Sequence, residues 1–206
     1  MRLAILVSGR GSNLEAVLDA VADGRLPGVE PILVIANRPG IRALEVAARR
    51  GVAWRLMPRS DFPNAEARDA AIGQALKEAG CELTLLAGYD QLLRSSYFVA
   101  FDGRTINIHP SLLPRHAGRG MMGLAVHTAV LKAGDTETGV TIHDVTPLLD
   151  GGPAIEQVRV AVRPGESAVE LGERVLEIEH RVLVEVLARL SASMTGASPA
   201  PIRARR

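Results

Sequence analysis

Residues 3–7, Leu-Ala-Ile-Leu-Val, form an unbroken aliphatic run; after Ser8-Gly-Arg-Gly-Ser-Asn13 an apolar period resumes at Leu14, Val17, Leu18 and Val21. This pattern predicts strand, loop and helix in that order. Residues 31–36 predict a second strand, broken by Asn37-Arg-Pro-Gly40, and Ile41, Leu44, Val46 and Ala47 mark a short helix. The alternation continues with a strand over 52–56, a helix over 65–79 and a strand over 83–87 that runs into Gly88-Tyr89. Thr105-Ile-Asn-Ile-His109 reads as a short strand entering a turn, and residues 124–132 as a helix ending at Gly134. Residues 138–145 and 154–162 flank the turn Leu149-Asp-Gly-Gly-Pro153 and predict an antiparallel hairpin at the sheet edge. Ser167 starts a long helix reaching about residue 190. Residues 191–206, rich in Ser, Ala, Pro and Arg, are expected to form a disordered tail beyond a domain of residues 1–190.

Strands separated by helical stretches imply an α/β fold, doubly wound, with a mainly parallel sheet, an antiparallel edge hairpin and a long C-terminal helix. Ligands of such sheets bind beyond the carboxyl ends of the strands. The 8–13 loop, the turn after Ala87 and His109 all follow strands, so the pattern brings all three to one rim.

A chain of 206 residues fits one sizeable domain, and 47% hydrophobic with 3% aromatic content makes its core aliphatic. A net charge of +1 gives no global argument for nucleic acid or membrane, so any anion has to be bound locally. The single cysteine, Cys81, cannot form an intramolecular bridge and reads as a structural thiol. The apolar start is too short for a signal peptide, and no run approaches the ~20 residues of a membrane span. A reducing cytoplasm is the expected compartment. The histidines show no metal-ligand spacing, and no metal is expected.

On a strand, Asn107 and His109 share one face, which pairs an amide donor with a titratable imidazole. Pro110 and Pro114 hold His109 and Leu113 in extended geometry. Such a pair suits acyl transfer, with the amide donating to a developing oxyanion and the imidazole stabilising charge or moving a proton. The bare motif alone fits a strand end that satisfies turn carbonyls better than a catalytic pair. In the 8–13 loop, Ser12 or Asn13 can cap the following helix, whose N-terminus would offer free N–H groups to a phosphate. Position 14 is Leu, so the third glycine of a dinucleotide fingerprint is missing and a mononucleotide phosphate fits better. Asp150 precedes two glycines whose turn can present its carboxylate to another loop; beside His109 it would raise the imidazole pKa and fix its orientation. His143 reads as a buried sheet histidine rather than a second catalyst. The glycine-rich 115–123 segment has no period and reads as a mobile loop, a candidate cover.

Leu6-Val-Ser-Gly-Arg-Gly-Ser-Asn-Leu14, Leu86-Ala-Gly-Tyr89, Asn107-Ile-His-Pro-Ser-Leu-Leu-Pro114, Thr138-Gly-Val-Thr-Ile-His143, Leu149-Asp-Gly-Gly-Pro153 and Glu179-His180 together resemble the phosphoribosylglycinamide formyltransferases. The resemblance implies a formyltransferase fold and transfer of a formyl group from 10-formyltetrahydrofolate to the amine of glycinamide ribonucleotide, in purine biosynthesis. It implies Asn107, His109 and Asp150 as the catalytic trio. It also implies Gly11, Ser12 and Asn13 on the substrate phosphate and Glu179 on its ribose. A reduced-folate pocket would be lined, largely through backbone, by Asp90, Gln91, Leu92 and Leu93 and by residues 146–150, including Thr146 and Asp150. The central motif is shared with methionyl-tRNA formyltransferase and formyltetrahydrofolate deformylase, whose extra domains this length does not accommodate. Deformylation of the folate is the alternative activity. The chain departs from the family at Gln91 and Ala65, where arginines are expected, and at Leu176, where a polar contact is usual.

Overall fold

The structure, a computed structural model, describes residues 1–194. Seven strands form one sheet: β1 (Arg2–Val7), β2 (Glu30–Ala36), β3 (Trp54–Leu56), β4 (Leu83–Leu86), β5 (Arg104–His109), β6 (Glu137–Asp144) and β7 (Ala154–Ala161). Their order is β3-β2-β1-β4-β5-β6-β7. The strands are parallel from β3 through β5, and β6 runs antiparallel to both β5 and β7. Six α-helices accompany them among the described residues: α1 (Ser12–Ala22), α2 (Arg42–Arg49), α3 (Ala65–Glu78), α4 (Ser95–Ala100), α5 (Leu124–Lys132) and α6 (Ala168–Met194).

β1 shows why the sheet is covered on both faces. Leu3, Ile5 and Val7 enter one cluster with Leu14, Val17 and Leu18 of α1 and Val182, Leu183 and Val186 of α6. Ala4 and Leu6 enter the other, with Ile72 and Leu76 of α3 and Tyr97 of α4. The period of two along a strand delivers alternate residues to opposite layers, so an unbroken aliphatic run is what a doubly covered strand requires. Each such side chain contributes on the order of 1.5–3 kcal/mol when fully buried. β3 is an edge strand of only three residues, which leaves little backbone open to pairing with another chain.

Several boundaries differ from the sequence expectation. The third strand starts at Trp54 rather than Val52, and α4 has no counterpart in the hydrophobic pattern. α6 continues to Met194, through the first four residues of the expected tail; the remainder of that tail, 195–206, lies outside the described residues. Ser167 and Glu170 close a reciprocal cap at its start: the Ser167 N–H donates to Glu170 at 2.8 Å and the Glu170 N–H to the Ser167 hydroxyl at 3.3 Å. Among the described residues, no helix is long and apolar enough to cross a membrane.

Candidate active site

Asn107 lies opposite His143 in the β5/β6 ladder. Its Nδ2 donates to His143 Nε2 at 3.0 Å, and His143 Nδ1 donates to the Asp144 carbonyl at 2.9 Å. A carbonyl only accepts, so the His143 proton sits on Nδ1 and the lone pair faces Asn107. One amide hydrogen of Asn107 is thereby spent and the other is left for a ligand. His143 is buried within the sheet as expected, but its bond to Asn107 gives it a place at the site that the sequence did not suggest.

His109 ends β5, and the turn beyond it is fastened to the hairpin. The Thr141 hydroxyl donates to the Ser111 carbonyl at 2.6 Å and accepts from the Leu113 N–H at 3.1 Å, while Gln157 Nε2 donates to the Leu113 carbonyl at 2.9 Å. The Ser111 hydroxyl donates to the Arg115 carbonyl at 2.6 Å. His109 Nε2 donates to the His116 carbonyl at 2.9 Å, leaving Nδ1 as the basic nitrogen of the neutral ring. His116 has left-handed backbone (φ 53°), and its own ring bonds Asp135 at 2.7 Å, beside the Arg115 guanidinium on the same carboxylate. Burial pushes the His109 pKa below the usual imidazole value; the His116 carbonyl and the Asp150 charge oppose this without overcoming it. Asp150 thus acts on His109 in the expected, upward direction, but burial is the larger effect and the net shift is downward.

Asp150 is reached through a turn that folds back after β6, the strand that runs against the parallel set. The Val145 N–H donates to the Thr105 carbonyl at 2.8 Å and the Asp144 N–H to the Pro153 carbonyl at 3.0 Å, closing the base of this turn. A side chain at Gly152 would meet the Asp144 carbonyl, so only glycine fits there. Asp150 itself takes left-handed backbone, with φ 51°. Its Oδ2 accepts from the Gly118 N–H at 2.8 Å and its Oδ1 stands 3.9 Å from His143 Nε2. The carboxylate thus bonds the glycine-rich loop and faces His143, and reaches His109 through its field rather than through a hydrogen bond.

These groups open into one cleft of ≈ 870 Å³, lined by Asn107, His109 and Asp150 together with Gly11, Ser12, Asn13 and Glu179 and with Asp90, Gln91 and Leu92. Two expected lining residues are placed elsewhere. Leu93 is buried in the core cluster beside α3 and α4, and the Thr146 hydroxyl is occupied with the backbone of Leu148, with neither lining the cleft. Residues 118–123 of the glycine-rich loop, with His127, Glu173 and Leu176, complete the wall. Among the described residues, no cluster of three or more His, Cys, Asp or Glu side chains is arranged to hold a metal ion.

At the other end of the cleft Gly11, not Ser12 or Asn13, is the N-cap of α1, with φ 77° and no side-chain cap. Ser12 and Asn13 lie in the first helical turn, where backbone N–H groups have no intrahelical partner and the helix end is positive. Asn13 is buried, and its Oδ1 has no hydrogen-bond partner among the described residues. Burial pushes the pKa of Glu179 in α6 up to about 7, against the downward pull of the neighbouring Asn13 side chain. Near neutral pH the carboxyl therefore carries a proton for much of the time.

The third wall follows β4. The Asp90 carboxylate accepts from Asn37 Nδ2 at 2.6 Å and Gln91 Nε2 at 3.2 Å and pairs with Arg38, while its N–H donates to the Ser8 hydroxyl at 3.0 Å. Burial would raise its pKa, but these hydrogen bonds and the Arg38 charge outweigh it and hold the acid below its usual value. Gln91 Oε1 accepts from Arg68 Nη1 at 3.0 Å. Arg68 and Asp69 are both fully buried and paired at 2.5 Å, and Asp69 Oδ2 also takes the Arg94 N–H at 2.9 Å. Removing one partner of such a pair costs on the order of 3–5 kcal/mol.

The formyl transferase family matches residues 1–187. The chain is 39% identical over 193 residues to the trifunctional purine biosynthetic protein adenosine-3 of Drosophila pseudoobscura pseudoobscura, covering 93% of this chain but only 14% of that protein. It is 35% identical over 182 residues to the phosphoribosylglycinamide formyltransferase of Escherichia coli (strain K12), covering 88% of this chain and 83% of that one. Glycinamide ribonucleotide transformylase 1 from Symbiobacterium toebii superposes with a TM-score of 0.87 at 37% identity, over 94% of this chain and 88% of that structure. With the Asn107, His109 and Asp150 cleft set in the same fold, the chain belongs to the formyl transferase family, as a relative of the phosphoribosylglycinamide formyltransferases.

Proposed function

We propose that the protein transfers the formyl group of 10-formyltetrahydrofolate to the amine of glycinamide ribonucleotide. The observation that carries this reading is the single cleft: an anion-compatible helix end at Gly11–Asn13 occupies one side and the Asn107–His109–Asp150 group the other. A phosphate held at the α1 N-terminus would leave the ribose against Asn13 and Glu179 and direct the amine toward His109. Asp90, Gln91 and Leu92 line the side left for the folate.

Attack of the amine on the formyl carbon creates an oxyanion and a positively charged nitrogen. The free N–H of Asn107 can donate to the oxyanion. His109, whose pKa burial holds below the usual imidazole value, can take the amine proton at Nδ1, and the Asp150 charge stabilises the imidazolium so formed. Collapse of the intermediate expels the folate nitrogen, which receives a proton, and no covalent enzyme intermediate is required.

The test is tetrahydrofolate release from 10-formyltetrahydrofolate, followed by ultraviolet absorbance with and without glycinamide ribonucleotide. The ribonucleotide should raise the rate by orders of magnitude with little formate formed. Formate appearing at one rate in both conditions would mean that the protein is a deformylase.

A further inference from the structure

Arg68 is fully buried, 23 positions away from the cleft-lining Gln91 to which its Nη1 donates at 3.0 Å. Its Nε and Nη2 are committed to Asp69 Oδ1 at 2.9 and 2.5 Å. Asp69 in turn holds the wall itself, since its Oδ2 accepts the Arg94 N–H at 2.9 Å. The guanidinium is planar and offers donors only, so this fork has one orientation, and it fixes which end of the Gln91 carboxamide points inward. The oxygen faces Arg68; the nitrogen gives one hydrogen to Asp90 Oδ1 at 3.2 Å. A carboxamide nitrogen carries two hydrogens, so one is left unspent on a residue that lines the cleft.

We propose that Arg68 is a positioning residue for ligand recognition: through Gln91 it presents one outward N–H to an acceptor atom of the bound formyl donor. The cleft wall at 91 is thereby neutral, with its cation stored behind it in α3. The same fold with an arginine at 91, as the family resemblance leads one to expect, would place that charge in the cleft instead. This inference rests on the proposed function only for the identity of the ligand.

The test uses the full chain and tetrahydrofolate, whose binding is read by calorimetry without reliance on turnover, alongside Michaelis constants for both substrates. Gln91→Glu keeps an acceptor for Arg68 but has no N–H to offer. It should leave the melting temperature little changed, the stronger bond to Arg68 offsetting the repulsion from Asp90, while weakening tetrahydrofolate roughly three- to tenfold, the loss of one neutral hydrogen bond. Gln91→Leu should weaken it to the same extent. Arg68→Lys keeps a cation for Asp69 but cannot serve Asp69 and Gln91 with one rigid fork. It should raise the donor KM by a similar factor, with kcat within about twofold and the ribonucleotide KM unchanged, and it should add little to Gln91→Leu, as residues acting through one contact do.

Undiminished tetrahydrofolate binding in Gln91→Glu, fully additive effects of Arg68→Lys and Gln91→Leu, or absence of tetrahydrofolate binding by the unmodified protein would overturn the proposal. If the protein binds tetrahydrofolate but does not formylate the ribonucleotide, the functional reading fails and the Gln91 variants still decide this one. Should Arg68→Lys not fold, the two Gln91 variants carry the test.

Discussion

Asn107 and His143 face one another across antiparallel strands, and the amide of the first donates to the ring nitrogen of the second at 3.0 Å. The donor best placed for an oxyanion is thus held by a neighbouring strand rather than by its own turn. Asn107→Ala should lower turnover about 10²-fold, the scale of one lost oxyanion donor, with the fold intact. His143→Ala frees the amide and should lower kcat roughly tenfold while leaving both KM values near their starting points. The double variant should be little worse than Asn107→Ala alone, as kinetics on all three proteins would show.

Asp150→Asn tests the field between Asp150 and His109. Burial lowers the imidazole pKa and the Asp150 charge partly restores it. Removing that charge should lower the pKa further, so the acid limb of kcat/KM, which reports protonation of a neutral base, should move to lower pH. Turnover should also fall, because the imidazolium formed in the reaction loses its counter-charge. A pH–rate profile checks both; an unmoved acid limb would reduce Asp150 to a loop anchor.

Glu179 predicts a pH dependence of stability. Its pKa rises from 4.5 in the unfolded chain to about 7 in the folded one, so folding favours the protonated form. The associated stability is complete below pH 4.5 and is lost as pH rises through about 7, up to about 3 kcal/mol in all. Glu179→Gln is neutral throughout. Denaturant melts at pH 5 and pH 8 should therefore differ less for the variant than for the unmodified protein.

Gly11→Ala should disturb both packing and binding. At φ 77° a side chain there is strained, and its Cβ would stand 2.7 Å from Ala43 Cβ in α2. The expected cost is about 1–3 kcal/mol in stability together with a raised ribonucleotide KM. Ser12→Ala, which leaves the loop backbone unstrained, separates the two effects, and calorimetry with inorganic phosphate reads them directly.

The strand and helix order was legible because β1, β2 and β4 are largely aliphatic runs ending at small or turn-forming residues, while β5, β6 and β7 alternate apolar and polar positions. α4 was not, since Ser95–Ala100 spans under two turns and owes its place to Tyr97 packing with the α3 layer. The trio was legible as a motif, but the charge state of His109 was not. That state depends on burial beneath a loop whose His116 carbonyl accepts the ring proton. Nor could spacing reveal that Arg68 lies behind Gln91, a meeting of helix and loop that only the packed sheet brings about.

The left-handed backbone at Asp150 has a further consequence. Aspartate tolerates that conformation better than most residues, yet glycine takes it at no steric cost. Replacement by glycine should then raise the melting temperature slightly, the relieved backbone outweighing the lost hydrogen bond from the Gly118 N–H, while removing the carboxylate proposed to support His109. A selection for thermal resistance alone would favour the replacement, and a selection for growth without purines would remove it. On the proposed role of Asp150, position 150 is where durability and catalysis draw the chain in opposite directions, so a stabilised variant of this protein has to gain its robustness elsewhere.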